Sequence, residues 1–244
     1  MEIEIRSGIR ATALSGNTAE ERQAWRFTPD PRKRDADPAA IRAQAALNEA
    51  DGFDSALVTT YSSWPDPWLV AALSMESAPR LGVAVAHRPG VVQPTAAART
   101  FATLDRLSGG RVSMHVVIGS SDIDVRRDGD FSSKDERYRR AFEYLDILNR
   151  VLSSAEPFDF EGQHYQVRGA WSGFGPVQQP RPPISIGGTS EAAKQLAARF
   201  GDVYAGAYAT PDEVTHAKDD IEHRYGRKLR FWKSFSVVLG VTDR

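Results

Sequence analysis

Small and polar residues stand together at four places in the chain, each directly after a run of apolar or β-branched residues. The four segments read Thr59-Thr60-Tyr61, His87-Arg88-Pro89, Ile118-Gly119-Ser120-Ser121 and Gly187-Gly188-Thr189-Ser190. In α/β barrels the chemistry lies at the carboxyl ends of the strands. Small and polar groups on one rim suit a flat ligand with a phosphate tail, so these segments are the candidate binding positions.

The fourth segment has the features of a phosphate-binding turn. Gly187 and Gly188 let the backbone approach a ligand, and Thr189 or Ser190 can cap the helix EAAKQLAARF, whose first amides point outward. An ordinary strand-to-helix turn with a serine cap has the same pattern, and spacing alone favours that simpler interpretation.

His87 and Arg88 are the candidate catalytic residues. A guanidinium offers two parallel donors to a sulfonate, carboxylate or phosphate, so this pair could face an anionic substrate or a developing anion. A structural salt bridge is an equal alternative. His115 lies inside a predicted strand on the same face as Ser113 and Val117, where a histidine with satisfied hydrogen bonds is the alternative to a functional one.

Arg137 and Tyr138 begin a helix after the glycine-containing, charged loop VRRDGDFSSKDE. They could contact a phosphate or close a pocket, or they could form a solvated helix terminus. No HExxH motif is present, and His164, His216 and His223 are scattered, so no metal site is expected.

Composition narrows the classes of function. The 244 residues contain 31 Lys and Arg and 32 Asp and Glu, so the chain has no excess of positive charge. Binding to nucleic acid is therefore not expected. Cysteine is missing from the sequence, so redox chemistry would need an organic cofactor or a metal with other ligands. A signal peptide needs a continuous apolar core, whereas charges interrupt the apolar runs at the amino terminus. The sequence also contains no apolar stretch long enough to span a membrane. We therefore expect a cytoplasmic protein without membrane contact.

Short apolar runs alternate with longer helical patterns, which predicts an α/β fold with a parallel sheet. The predicted strands are 8–14, 55–60, 81–87, 112–118, 183–186, 202–204 and 235–241. Asp37 and Pro38 can start a helix, Gly109 can end one, and FDFEGQHYQVRGAWSGFGP predicts a small hairpin. The length suits a single domain over 1–244. Seven strand units are one fewer than a closed eight-stranded barrel has.

Several ordered segments together resemble the luciferase-like flavin enzymes, most closely their alkanesulfonate monooxygenase branch. The segments, spread over 39–242, are AHRPGVVQPTAAARTFATLDRLSGGR, VVIGSSD, ERY, FDFEGQHYQVRGA and QQPRPPISIGGTSEAAKQLAA. The resemblance implies a TIM (β/α)8-type barrel, here without its last strand–helix unit. It also implies reduced FMN supplied by an NAD(P)H-dependent flavin reductase, O2 and a small organosulfur substrate cleaved to aldehyde and sulfite, and assembly into dimers or tetramers.

The same resemblance implies which residues contact the cofactor. The flavin contacts that it implies are Thr60, His115, Asp124, Arg137, Tyr138 and Ser190. Gly119 and Gly188 stand on the same rim and complete the predicted set of cofactor-binding residues.

The sequence departs from the alkanesulfonate branch where substrate and proton transfer are expected. Trp64 replaces a cysteine, Ser234 and Ser236 replace an arginine and a histidine, and His115 and Ile118 replace an asparagine and a threonine. Ser234 and Ser236 motivate one alternative to the monooxygenase, a catalytically silent flavin-binding protein of the same fold. Another alternative keeps the fold but is an oxidoreductase that uses deazaflavin F420 for hydride transfer.

Overall fold

The computed structural model describes residues 3–11, 36–119, 121–206, 208 and 210–233. The strands in this part of the chain are β1 (Arg6–Ile9), β2 (Ser55–Val58), β3 (Gly82–His87), β4 (Val112–Val116), β5 (Phe158–Glu161), β6 (Gln166–Ala170), β7 (Ile184–Gly187), β8 (Val203–Gly206) and β9 (Arg230–Lys233). The helices are α1 (Pro38–Ala50), α2 (Pro67–Ser77), α3 (Pro94–Ser108), α4 (Asp122–Arg127), α5 (Lys134–Ser153), α6 (Glu191–Phe200) and α7 (Pro211–Tyr225).

Seven of these strands form one parallel sheet in the order β1-β2-β3-β4-β7-β8-β9. Parallel neighbours need a crossover connection, and helices supply it along the sheet. The sheet is curled, so that its two edge strands come into contact. The guanidinium carbon of Arg6 in β1 lies 3.2 Å from the ring centre of Trp232 in β9. The prediction of an α/β fold of the TIM-barrel type is confirmed.

The strand bounds differ from the predicted ones at both edges of the sheet. β1 is Arg6–Ile9, whereas the prediction was 8–14, of which 12–14 lie outside the described residues. The last described strand, Arg230–Lys233, falls where no strand was predicted, and the predicted strand 235–241 lies outside the described residues. Charged residues on both sides of Phe231 and Trp232 obscured the alternating pattern that identifies a strand. In the structure, Phe231 packs on the core and Trp232 lines the concave face.

Helix boundaries follow the capping residues that the sequence indicated. The Asp37 carboxylate accepts hydrogen bonds from the amides of Ala39 at 3.0 Å and Ala40 at 3.1 Å, and Pro38 is the first residue of α1. α3 ends at Ser108 and is capped by Gly109, which has a left-handed φ of 66°. These two predictions are confirmed. Among the described helices, none has both the length and the apolar character required to cross a lipid bilayer.

The predicted hairpin is confirmed as the antiparallel pair of β5 and β6, which packs on α5. The Glu143 carboxylate of α5 accepts hydrogen bonds from the amides of Gln163 at 2.8 Å, His164 at 2.8 Å and Tyr165 at 3.0 Å. One side chain therefore satisfies three amides of the hairpin turn and holds the hairpin against the helix layer.

Candidate functional site

The concave face of the sheet is lined largely by small side chains. Strand residues alternate between the helix layer and this face, and fully buried Val85, Met114 and Ile186 belong to the helix side. The opposite face carries small residues that leave space along the barrel axis, where TIM barrels usually hold bulky aliphatic side chains. These small residues are Ala84, Ala86, Ser113, Ser185, Gly187 and Ala205.

His115 is the largest polar side chain on the concave side of β4. Its Nδ1 lies 2.8 Å from the Ser185 hydroxyl, and its ring centroid lies 5.9 Å from that of Trp232. Burial, together with the positive charge of Arg6, lowers the pKa of His115 to about 4. The ring is therefore neutral at neutral pH. Its other nitrogen, Nε2, has no hydrogen bond within the described part of the chain and is near Gly187.

A group of hydroxyls surrounds the first turn of α6, and we call Tyr138, Gly188, Ser190 and Tyr204 the glycine-turn site. The Ser190 hydroxyl accepts a hydrogen bond from the amide of Ala193, which caps α6, and lies 3.2 Å from the Tyr138 hydroxyl. Gly188 has a φ of 146°, and a Cβ there would lie 2.8 Å from the Ala193 Cβ and 3.1 Å from the Tyr138 hydroxyl. Only glycine fits this close approach.

The Tyr204 hydroxyl is buried, and neither it nor the neighbouring Tyr208 hydroxyl makes a hydrogen bond of good geometry among the described residues. Burial is the main cause that raises the pKa of Tyr204, and the nearby Tyr208, Tyr138 and Glu191 raise it further. A buried donor without a partner costs roughly 1–3 kcal/mol. An acceptor bound beside the amino terminus of α6 would remove this cost, and the positive end of the helix dipole favours an anionic acceptor there.

Asp124 joins three elements at the carboxyl rim of the sheet. Its Oδ1 accepts hydrogen bonds from the backbone amide of Ser62 at 3.0 Å and from the Ser62 hydroxyl at 2.7 Å, and its Oδ2 pairs with Arg88 at 2.9 Å. Arg88 is 7% exposed and also pairs with Asp128. The loop after β2, the end of β3 and α4 are thereby tied together. Gly119 adjoins this network, because at its φ of 91° a Cβ would collide with Val125 of α4.

His87 points into the helix layer rather than toward the concave face. Trp68 Nε1 donates to its Nδ1 at 3.3 Å, and its Nε2 lies 2.7 Å from the Tyr144 hydroxyl. Burial lowers the pKa of His87 to about 4, so the ring is neutral at neutral pH. The structure therefore engages His87 and Arg88 with other side chains, and their predicted catalytic role stays a prediction.

The other predicted positions lie around the same rim. Arg137 is 3% exposed, and its guanidinium donates to the Ser132 carbonyl at 2.7 Å and to Asp122 at 3.1 Å. Thr60 is half-buried and stands two residues before Ser62. Trp64 packs on Tyr61 with ring centroids 4.8 Å apart.

The structure brings Tyr138, Gly188 and Ser190 together, and it places His115 beneath the same glycine turn. Sequence reasoning missed Tyr204 and Ser185, since both lie inside strands with no motif around them. It also missed α4, because VRRDGDFSSKDE has the composition of a loop; Ser121, which accepts a hydrogen bond from the amide of Asp124, was the available signal for a helix start. In the described ranges no three or more acidic or histidine side chains are grouped as metal ligands would be.

The fold is that of an α/β barrel, and the glycine-turn site brings hydroxyl groups and the amino terminus of α6 together at one rim of its sheet. The chain belongs to the luciferase-like monooxygenase family, whose model matches residues 13–244.

Similar solved structures share this fold at low sequence identity. EDTA monooxygenase from Chelativorans sp. BNC1 has a TM-score of 0.77 and 21% identity, over 100% of this chain and 66% of that protein. Riboflavin lyase, solved with modified FMN and riboflavin, has a TM-score of 0.80 and 19% identity, over 96% of this chain and 62% of that one. An F420-dependent secondary alcohol dehydrogenase with an F420-acetone adduct has a TM-score of 0.72 and 18% identity, over 95% and 68%. The chain thus spans 66% and 62% of the length of the first two.

Proposed function

We propose that this protein binds reduced FMN at the carboxyl rim of the barrel and uses it with O2 to oxygenate a small organosulfur compound, in an alkanesulfonate-type desulfonation to aldehyde and sulfite. The observation that carries the proposal is the glycine-turn site, where the hydroxyls of Tyr138, Ser190 and Tyr204 lie beside the amino terminus of α6. Membership of the luciferase-like monooxygenase family supports it.

The residues present fit the phosphate of FMN. Tyr138, Ser190 and Tyr204 would offer hydroxyls, the first amides of α6 would add their dipoles, and Gly188 leaves room for the ligand to approach the backbone. Arg137 precedes Tyr138 and places a buried positive charge at the start of α5. This set of donors is complementary to a dianionic phosphate.

The concave face fits the flat ring of the cofactor. Bound reduced FMN would supply the electrons that activate O2. His115, neutral and oriented by Ser185, can exchange a hydrogen bond through Nε2 without adding a charge. Small residues around it leave a space that the substrate and ring can fill and from which water is displaced. Asp124 and Arg88 would keep the rim in shape, and substrate contact by Arg88 or His87 is retained as part of the proposal.

The proposed reaction also requires partners. An NAD(P)H-dependent flavin reductase would deliver reduced FMN, O2 and the small substrate would meet it in the barrel, and the chain would assemble with copies of itself as a dimer or tetramer. Such an enzyme would work in the cytoplasm.

Two alternatives have specific observations behind them. A catalytically silent flavin-binding protein is favoured by the hydrogen bonds and ion pairs that engage both His87 and Arg88. An F420-dependent oxidoreductase is favoured by the resemblance to the F420-dependent secondary alcohol dehydrogenase.

Turnover distinguishes the three functions. The protein is mixed with a flavin reductase, NADH, FMN and O2, and sulfite release is measured across a panel of alkanesulfonates of different chain length. Sulfite formed in proportion to the protein supports the monooxygenase. Tight binding of reduced FMN with no product from any sulfonate contradicts the desulfonation. Binding of reduced F420 in preference to reduced FMN replaces it with the hydride-transfer reaction.

A further inference from the structure

A second cavity lies at the opposite end of the barrel, where the strands begin. It has a volume of about 280 Å³, and its lining includes residues that precede or start β1, β2, β3, β4, β7 and β9. Because the chemistry of an α/β barrel lies at the carboxyl ends of the strands, a cavity at the amino ends is separate from the site proposed for FMN.

This amino-end cavity carries an excess of positive charge. The charged side chains that line it among the described residues are four arginines and two carboxylates, namely Arg6, Arg80, Arg111, Arg230, Glu4 and Asp54. Arg80 pairs with Glu49 at 3.0 Å, so the excess rests on the other three arginines. Two of the arginines share one acid, since Glu4 Oε1 pairs with Arg6 at 2.6 Å and Glu4 Oε2 lies 4.0 Å from Arg230. The Arg111 guanidinium donates only to backbone carbonyl groups, including those of Ala78 and Leu81. Its charge is therefore not neutralised by a hydrogen-bonded acid.

One donor of this cluster has no acceptor. Arg6 Nε donates to the Ser55 hydroxyl at 2.7 Å and Nη2 donates to Glu4, but Nη1 is buried and has no hydrogen-bond partner in the described part of the chain. Leaving a donor of a charged group buried without an acceptor costs more than leaving a neutral one. Arg6 cannot lose its proton to escape this cost.

We propose that the amino-end cavity binds a small oxyanion, a carboxylate or inorganic phosphate, between Arg6 and Arg230. The anion would pair with Arg230, which lies 4.0 Å from Glu4, and with the Arg6 guanidinium, whose Nη1 has no acceptor among the described residues. A guanidinium suits this role because it presents parallel donors to two oxygens of one anion. The site is independent of FMN.

Trp232 provides the measurement. Its ring lies 3.2 Å from the Arg6 guanidinium carbon, so an anion that pairs with Arg6 changes the field at the indole. The protein is titrated with inorganic phosphate, and in a second arm with acetate, by tryptophan fluorescence and calorimetry, with KCl at equal ionic strength as the salt control. We expect saturable binding of at least one of the two anions and only a small linear response to KCl.

Variants locate the binding. Arg6→Gln should weaken anion binding at least tenfold. Arg230→Gln should also weaken anion binding, and because the Arg230 side chain is 64% exposed, the fold should remain intact. Arg42→Gln is the matched control, because Arg42 pairs with Glu76 on the surface between α1 and α2. If Arg6→Gln fails to fold, Arg230→Gln decides.

Three outcomes would overturn the proposal: a response to phosphate and acetate no larger than that to KCl, an affinity that Arg230→Gln and Arg42→Gln change equally, or phosphate binding that Tyr138→Phe abolishes and Arg6→Gln does not. The last would place phosphate at the glycine-turn site. Binding of FMN has no part in the test, so the two proposals fail separately.

Discussion

The Tyr138 hydroxyl lies 3.2 Å from the Ser190 hydroxyl and close to the backbone of Gly188. A Cβ added to Gly188 would lie 3.1 Å from this hydroxyl. Tyr138 is 5% exposed, so its ring is fixed by packing and its hydroxyl stays at the edge of the turn. A fixed donor loses little entropy when a ligand binds. At the residue scale, fixed hydroxyls would therefore contact the phosphate in addition to the buried charge of Arg137.

Replacing this hydroxyl gives the first prediction. Tyr138→Phe removes one donor and keeps the buried ring, so the affinity for reduced FMN should fall about tenfold, by roughly 1–1.5 kcal/mol, with little change in stability. The measurement is an anaerobic titration followed by flavin fluorescence. Tyr165→Phe, which removes a tyrosine hydroxyl in the hairpin, is the control and should bind normally. Equal affinities of the two variants would contradict the role of Tyr138.

His87 gives a prediction about pH. Its pKa is lowered from 6.5 to about 4 because burial disfavours the charged ring, so the unfolded chain binds a proton that the folded protein does not. His87 therefore makes its full contribution above pH 6.5 and loses it as the pH falls toward 4. The loss between pH 7 and pH 5 should be about 2 kcal/mol, at ~1.4 kcal/mol for each pKa unit.

Denaturant unfolding of the protein and of His87→Gln at several pH values measures this loss. Carboxyl groups with lowered pKa values, such as those of Glu4 and Asp130, also reduce stability toward acid in both proteins, so the difference between the two isolates His87. Parallel curves for the two proteins would show that His87 has no such effect.

At the scale of the element, the sequence predicted most of the framework, because caps and apolar periodicity are local signals. Asp37, Gly109 and Ser190 marked helix ends correctly, and the hairpin lies within the segment FDFEGQHYQVRGAWSGFGP, for which it was predicted. Two elements were not predicted. β9 was missed because charged residues flank its apolar pair, and α4 was missed because a helix of six residues is too short to show a helical periodicity.

The candidate site was predictable only in part for the same reason. Gly188 and Ser190 belong to a turn with its own local pattern, whereas the orientation of His87 depends on which strand face meets the helices. Tyr204 reaches the glycine-turn site only because β7 and β8 are neighbours, which is a property of the sheet.

The glycine turn itself gives the third prediction. Gly188→Ala would place a Cβ 2.8 Å from Ala193 and 3.1 Å from the Tyr138 hydroxyl, so it should destabilise the fold by roughly 1–3 kcal/mol and weaken FMN binding. Gly129→Ala is the matched control, because Gly129 also has a positive φ, 83°, but nothing lies within 4 Å of its Cβ position. Thermal unfolding and FMN titration of both variants provide the comparison. Unchanged FMN binding by Gly188→Ala would contradict the proposed close approach.

At the scale of the whole molecule, side chains join the first and last described strands of the curled sheet. Arg6 of β1 stacks on Trp232 of β9, and Glu4 approaches Arg230. Trp232 lines the amino-end cavity and also lies against His115, with ring centroids 5.9 Å apart. The contact across the sheet edges and the position of His115 are therefore connected through this ring.

Removing the ring tests that connection. Trp232→Leu should lower the free energy of unfolding by about 1–3 kcal/mol, because it removes both buried aromatic area and the cation–π contact with Arg6. Trp171→Leu, at a position that is 47% exposed, should cost less than about 1 kcal/mol. Urea unfolding followed by circular dichroism measures both. Equal losses would mean that the contact across the sheet edges does not stabilise the barrel.

The glycine-turn site is proposed to hold the phosphate of FMN, and anaerobic titration of the protein with reduced FMN and with reduced riboflavin, which lacks the phosphate, tests this proposal. FMN should bind at least tenfold more tightly than riboflavin, equivalent to ~1.4 kcal/mol or more, and Ser190→Ala should remove most of the difference. Equal affinities for the two flavins, or a preference for FMN that Ser190→Ala leaves intact, would contradict it.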